Sequence, residues 1–199
     1  LKSDVWAVIL TGGKSKRIGQ DKSFLSIGSS YLIDSIVEKL KPIFKDIMIV
    51  GDKNEKYSRL SIQCIDDIFP GMGPLGGIYT ALEVTQAEFV FVFACDMPFI
   101  NTHLIKYMLG KINKNHDVIV PMLKGRCEPL HAIYSQNAKG KMLESINNKE
   151  LGVHKLFNCL SVFFVMDEEI HRLGENMFFN INTEEDYNKA LEMRIANKN

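Results

Sequence analysis

Residues Phe89–Ala94 read FVFVFA, six apolar residues in succession, and the next four, Cys95-Asp96-Met97-Pro98, turn abruptly polar and stop at a proline. An unbroken apolar run of this length is what a strand covered on both faces shows, whereas a strand with one wet face alternates. Comparable runs recur at Val5–Leu10, Asp46–Val50, Ile62–Ile65, Val118–Pro121 and Ser161–Val165. Apolar residues at helical spacing fill the stretches between them and predict helices over 31–42, 74–86, 101–113, 136–147 and 183–196. Buried strands alternating with crossover-length helices imply a three-layer, doubly wound α/β fold around a mostly parallel sheet.

Bulk properties narrow the rest. A chain of 199 residues, 46% hydrophobic and 24% charged, suits one domain over 1–199, and no repeat, low-complexity segment or linker marks a second. Lys+Arg and Asp+Glu both count 24, so no broad basic field points to nucleic acid or a membrane surface. No apolar stretch reaches the roughly 18 residues of a membrane span, and the run within LKSDVWAVILTGG is too short for a signal peptide. The expectation is a cytoplasmic protein. Cys64, Cys95, Cys127 and Cys159 are scattered without a CxxC pair, which predicts reduced, mostly buried thiols rather than a zinc site or a disulfide framework.

In such folds ligands bind beyond the carboxyl ends of the strands. Three segments there are unusual. After Val5–Leu10 comes Thr11-Gly12-Gly13-Lys14-Ser15-Lys16-Arg17-Ile18-Gly19-Gln20-Asp21-Lys22. Adjacent glycines let backbone N–H groups approach an anion, Arg17 can fork two phosphate oxygens, and Lys22 adds a movable positive charge. The order is neither GxxxxGK[ST] nor GxGxxG, and the plain alternative is a glycine-rich turn with solvated lysines. Asp96 follows a buried strand directly, where one carboxylate facing a phosphate loop suffices to hold Mg²⁺; alternatively it caps the next helix. Asp66 and Asp67 offer a second acidic position. Gly71-Met72-Gly73-Pro74-Leu75-Gly76-Gly77 is either a backbone surface that reads a purine edge or a helix-start turn with close packing at Gly76 and Gly77.

Together these segments resemble the molybdenum cofactor guanylyltransferase family within the Mg²⁺-dependent nucleotidyltransferases, nearly end to end. LTGGKSKRIGQDK is similar to that family's LAGGxSxRMGxDK, with Thr11 and Ile18 as mild departures. GPLGGI at 73–78, CDMP at 95–98, RCEPLHAIY at 126–134 and NINTEEDYNKAL at 180–191 match as well. The resemblance implies a Rossmann-like nucleotidyltransferase fold. It implies that Leu10, Thr11, Gly12 and Gly13 line the nucleotide pocket with Gly73, Pro74 and Leu75, and that Lys22 and Arg17 contact phosphates. By the same resemblance Asp96 binds Mg²⁺, and Asp66 or its neighbour Asp67 contacts the guanine nucleotide. Arg126, Pro129, His131 and Tyr134, with Asn180 and Asn182, would face the pterin substrate. For His131 and Tyr134, core packing is the competing reading.

The implied reaction transfers GMP from GTP to molybdenum-bound molybdopterin and releases pyrophosphate. Rival readings are a cytidylyltransferase acting on the same pterin, a sugar-phosphate nucleotidyltransferase, and a non-catalytic nucleotide-binding adaptor. The first two more often carry LAAGxGxRMG, whereas Gly12-Gly13-Lys14-Ser15 is closer to the guanylyl form; joint presence of Lys22, Arg17 and Asp96 argues against the third. The family also implies transient contact with a molybdenum-inserting protein and with apo-molybdoenzymes.

Overall fold

The structure, a computed structural model, describes residues 5–12, 22–28, 30–51 and 55–196. Its strands are β1 (Val5–Leu10), β2 (Ser26–Ile27), β3 (Ser30–Tyr31), β4 (Ile47–Val50), β5 (Gln63–Ile65), β6 (Phe89–Ala94), β7 (Val118–Leu123), β8 (Arg126–Cys127), β9 (His131–Ser135) and β10 (Val162–Val165). Its α-helices are α1 (Leu32–Leu40), α2 (Gly73–Thr85), α3 (Thr102–Leu109), α4 (Lys139–Asn147), α5 (Val153–Leu156), α6 (Asp167–His171) and α7 (Glu184–Ala196).

The main sheet runs β10-β7-β9-β6-β1-β4-β5, with β8 paired to β7. β1 is parallel to β4 and β6, β4 to β5, and β10 to β7. β9 is antiparallel to both β6 and β7, so those two share a direction. The six strands expected from apolar runs therefore all point one way. Along the main path of the sheet one strand was not expected: His131–Ser135, which overlaps the motif at 126–134 read as facing the substrate, is inserted between two of the six, and the short elements β2, β3, β8, α5 and α6 were not expected either. Every side chain of β9 is buried, so it satisfies its backbone on both sides and fills the gap between β6 and β7.

Alternate residues of each strand enter opposite layers, because successive strand side chains point to opposite faces. On one side Val8, Met48, Val50 and Val92 pack with Leu75 and Ile78 of α2, Met142 of α4 and Leu156 of α5. On the other Ile9, Ile49, Phe91 and Phe93 pack with Ile33 and Ile36 of α1, Leu104 of α3 and Ala190 of α7. Phe91 and Phe93 are fully buried. Burying each such ring contributes about 1.5–3 kcal/mol, which makes the middle of the sheet the firmest platform in the molecule. Among the described residues no helix is long and apolar enough to cross a membrane.

Helix limits follow local chemistry. α3 begins where the Asn101 side chain accepts hydrogen bonds from the N–H groups of His103 and Leu104, and it ends at Leu109, short of the expected 113, because Gly110 follows. α7 opens on a reciprocal cap: Asp186 Oδ2 accepts from Thr183 N–H at 2.9 Å while Thr183 Oγ1 accepts from Asp186 N–H at 3.1 Å. That cap fixes the chain just before α7, which crosses the site.

Candidate functional site

Four parallel strands end together. Leu10 pairs with Val50 and with Ala94, and Val50 pairs with Ile65. From β1 the sheet continues through β4 and β5 on one side and through β6 on the other, so the strand order reverses between β1 and β6, where α/β sheets open a ligand crevice. Backbone bonds carry the register past the strand ends: Thr11 N–H donates to the Val50 carbonyl at 2.8 Å, Gly51 N–H to Ile65 at 3.0 Å, and Cys95 N–H to Leu10 at 3.2 Å. Thr11-Gly12 and Cys95-Asp96 thus leave neighbouring strands side by side. The backbone entering the basic loop and the turn that carries Asp96 stand at one rim, the adjacency expected from the sequence.

Two glycines shape this rim for different reasons. Gly12 has φ +149°, and among the described residues a Cβ there would meet nothing within 4 Å, so on that side its backbone stands open to an approaching group. Gly51, with φ +153°, is the opposite: a Cβ would fall 1.7 Å from the Thr11 carbonyl oxygen. Only glycine lets β4 leave the sheet this close to Thr11. The return of the loop is anchored as well. Lys22 opens a 3-10 turn, Lys22–Phe24, in which buried Ser23 Oγ accepts a hydrogen bond from Tyr57 Oη at 3.1 Å. Gly13, Lys14, Lys16, Arg17 and the Lys22 side chain lie outside the described residues.

The second glycine segment forms the start of α2 and packs closely. A Cβ on Gly77 would touch Leu10 Cδ2 at 3.1 Å, and one on Gly76 would meet the Phe69 carbonyl at 2.8 Å. Leu75 is fully buried in the core, so its side chain does not line a nucleotide pocket as expected; the apolar position is needed to seat α2 on β1. Gly71 and Gly73 take positive φ, 85° and 64°, with open space at both. Pro74 occupies the first turn of α2, where its missing N–H is harmless.

Asp66 and Asp67 separate by role. Asp67 Oδ1 accepts from Thr80 Oγ1 at 2.8 Å and from Phe69 N–H at 2.9 Å, and Thr80 Oγ1 accepts from Ile68 N–H at 2.9 Å. Asp67 therefore braces its own loop against α2. Asp66 is exposed at the end of β5.

Asp96 is half-buried on a loop tied at several points. Its carbonyl accepts from Ile181 N–H at 3.0 Å, which lays the segment holding Asn180 and Asn182 across it. Lys39 of α1 donates to the Ile100 carbonyl at 3.2 Å and to Pro98 at 3.5 Å, and Asn101 Nδ2 donates to Leu173 at 2.9 Å. Burial, helped by the charge of Arg194, lowers the Lys39 pKa. Among the described residues no three His, Cys, Asp or Glu side chains gather as a metal cage. The donor set fits a cation that takes one carboxylate and completes its shell from phosphate oxygens and water, which is the habit of Mg²⁺.

Beyond β6 the rim continues into the 126–130 segment. Arg126 is exposed, across a two-residue hairpin from Leu123 whose turn residues, Lys124 and Gly125, take φ +52° and +73°. Pro129 is half-buried, and its carbonyl accepts from Tyr134 Oη at 2.8 Å. Tyr134 and His131, however, are both fully buried. His131 sits among the rings of Phe91, Phe93 and Phe178, with neither ring nitrogen hydrogen-bonded, and burial pushes its pKa down to about 3. It is a neutral core ring and does not reach a substrate, so core packing holds for both residues. Of the thiols, Cys95 is buried, Cys64 and Cys127 are half-buried and Cys159 is exposed, and none of the four is in a disulfide.

Sequence reasoning missed Gly51, Lys39 and Thr80. A glycine directly after the apolar run IMIV was a usable signal for the first. Lys39 and Thr80 act on partners 61 and 13 residues away, and nothing in their neighbourhood marks them.

A doubly wound sheet with a glycine turn and a carboxylate on adjacent strands at its switch point defines a nucleotide-binding α/β protein. Residues 7–161 match the family described as MobA-like NTP transferase domain. The chain belongs to that family. It is 35% identical over 193 residues to a probable molybdenum cofactor guanylyltransferase of Clostridium perfringens, covering 94% of this chain and 96% of the relative. It is 36% identical over 188 residues to a like-named protein of Pelotomaculum thermopropionicum, covering 94% and 91%. Among solved structures, molybdopterin-guanine dinucleotide biosynthesis protein A from Archaeoglobus fulgidus superposes with a TM-score of 0.82 at 26% identity, covering 96% of this chain and 99% of that one. A Thermus thermophilus 2-C-methyl-D-erythritol 4-phosphate cytidylyltransferase shares the fold, with a TM-score of 0.68 at 16% identity over 94% and 98% of the two chains.

Proposed function

We propose that this chain transfers GMP from GTP to the terminal phosphate of molybdenum-bound molybdopterin, forming a guanine dinucleotide cofactor and pyrophosphate. The observation that carries the reading is the meeting of Gly12 and Asp96 on adjacent strand ends, in a chain whose curated relatives carry the guanylyltransferase name. A phosphate oxygen of the pterin attacks the α-phosphorus, the bond from that phosphorus to the bridging oxygen breaks, and pyrophosphate leaves with the electron pair. The attacking oxygen is already anionic, so no protein base is required, and the residues act by alignment and charge neutralisation.

The open backbone at Gly12 receives phosphates, with Thr11 and Leu10 beneath it, and Lys22 and Arg17 supply positive charge toward the α-phosphate and the leaving group. Asp96 would hold Mg²⁺, which when bound neutralises charge developing on the triphosphate. Asp66 rather than Asp67 faces the nucleotide in this reading, because Asp67 is spent on bracing its loop. Arg126, Pro129, Asn180 and Asn182 hold the pterin on the far side of Asp96. The site is that of a cytoplasmic biosynthetic enzyme that takes its pterin from a molybdenum-inserting protein and passes the product to apo-molybdoenzymes.

The test is pyrophosphate release with GTP, CTP and ATP, each with and without molybdopterin. Release should require GTP and molybdopterin together, and Asp96→Ala should lose about 10²–10³-fold or more while keeping its circular dichroism spectrum. Equal release with CTP, or near-normal turnover by Asp96→Ala, would overturn the reading.

A further inference from the structure

Glu128 stands where the chain enters β9, between the carboxyl ends of β6 and β7. Its N–H donates to the Pro121 carbonyl and its own carbonyl accepts from His131 N–H, both at 3.0 Å, while Leu130 two residues on accepts from Ala94 N–H at 3.0 Å. The backbone of Glu128 is thus fixed to the same rim that carries Asp96, on the side of β6 away from Gly12. Its side chain is half-buried, yet the carboxylate makes no hydrogen bond or ion pair among the described residues. Burial raises its pKa to about 6 against the opposing pull of Arg126, and that pull is too weak to restore an ordinary carboxylate. A partly desolvated carboxylate without donors is unfavourable by itself, and beside the strand end that leads into Asp96 it points to a ligand contact.

The chemistry of that ligand is restricted. A phosphate is repelled by the carboxylate, so the group that reaches Glu128 must bring hydrogen-bond donors or positive charge. The acceptor substrate has its phosphate at Asp96 and must extend its ring system away from the nucleotide, over β9. A pterin ring offers on one edge a ring N–H next to an exocyclic amino group, two coplanar donors that match the two oxygens of one carboxylate. We propose that Glu128 accepts both hydrogen bonds from the 2-amino-4-oxo-pyrimidine edge of the pterin and so selects the acceptor substrate. This rests on the guanylyl-transfer reading. Guanine presents the same edge, but the nucleotide-facing glycines lie on the other side of Asp96, which assigns Glu128 to the pterin.

The experiment compares the intact protein with Glu128→Ala and Glu128→Gln. The glutamine keeps the shape but turns one acceptor into an amide donor, so it should behave like alanine and serve as the control for packing. With saturating GTP, both variants should raise the KM for molybdopterin about tenfold or more, with kcat and the GTP Kd nearly unchanged. A second arm needs no turnover: fluorescence titration with 6-hydroxymethylpterin and with 6-hydroxymethyllumazine, whose 2-oxo group replaces the amino donor. Wild type should favour the pterin about tenfold or more, and both variants should lose the preference. An unchanged preference in Glu128→Ala overturns the proposal, as does a weakened GTP Kd with unaltered acceptor KM, which would make Glu128 a guanine contact. If wild type fails to transfer GMP to molybdopterin, the guanylyl reading falls, and the titration still decides Glu128.

Discussion

Replacing Gly51 by alanine tests how the rim is built. The added methyl would lie 1.7 Å from the Thr11 carbonyl oxygen and 2.5 Å from Thr11 Oγ1, so Thr11 must move by more than an ångström or β4 must part from β1. Either movement breaks the Thr11 N–H bond to Val50 and the Gly51 N–H bond to Ile65, at 2.8 and 3.0 Å. Each backbone bond is worth about 1 kcal/mol net, and an L-residue at such a φ adds about 1–2 kcal/mol, so the loss is about 3–4 kcal/mol. For a chain of this size that corresponds to roughly 6–15 °C in Tm. Because Thr11 leads directly into Gly12, a displacement of about 1 Å should also slow turnover about 10²-fold. Gly12→Ala is the matched comparison: at φ +149° it carries the same backbone strain of about 1–2 kcal/mol, but its methyl meets nothing within 4 Å among the described residues, so Tm should fall less than in Gly51→Ala while GTP affinity drops. Scanning calorimetry with pyrophosphate-release kinetics reads both effects. A Gly51→Ala protein with wild-type Tm and rate would refute the reasoning.

Three further outcomes are expected. His131→Phe keeps the aromatic contacts and removes two unsatisfied nitrogens. The folded His131 has a depressed pKa of about 3, so between that value and the unfolded 6.5 the unfolded chain binds the extra proton and stability falls as pH drops; at pH 5 the loss is about 2 kcal/mol. The phenylalanine variant should lack that component, and wild-type and variant Tm curves that run parallel from pH 7.5 to 5 would contradict it. Lys39→Met removes a charged donor from the Ile100 and Pro98 carbonyls and should lower stability by about 1–2 kcal/mol, discounted for partial exposure, and kcat several-fold, with Lys39→Arg recovering part of both. Unchanged kcat in Lys39→Met would disconnect it from Asp96. Asp67→Ala should reduce Tm with little direct effect on GTP binding beyond loop loosening, whereas Asp66→Ala should weaken GTP binding with a smaller loss of Tm than Asp67→Ala; the reverse pattern, read by calorimetry and nucleotide titration, would exchange their roles.

The inner parallel strands β1, β4, β6 and β7 were legible because they are largely buried and almost continuously apolar, while the partly buried edge strands β5 and β10 showed only as short apolar runs. Their carboxyl ends were then the place to look, and Thr11-Gly12 and Asp96 do meet there. β9 was not legible: HAIYS is short, opens on a histidine and sits inside a motif that draws attention to ligands rather than to pairing. His131 stood between a substrate contact and core packing for the same cause, and the structure decides for the core. A histidine beside Arg126 and Glu128 looks solvent-facing in one dimension, and only strands β6 and β9 together with Phe178 turn its surroundings into aromatic rings. Asp66 and Asp67 could not be separated from sequence, since the deciding partner, Thr80, lies one helical segment away on α2. Leu75 carried both a motif position and a core position, and apolarity should have favoured the core.

A crystal of the protein grown with Mg²⁺ and a non-hydrolysable GTP analogue tests the central claim most directly. The account predicts phosphate density against the Gly12 backbone and a metal about 2.0–2.1 Å from an Asp96 carboxylate oxygen. Triphosphate density at another edge of the sheet, or a metal held by phosphates alone with Asp96 turned elsewhere, would contradict it.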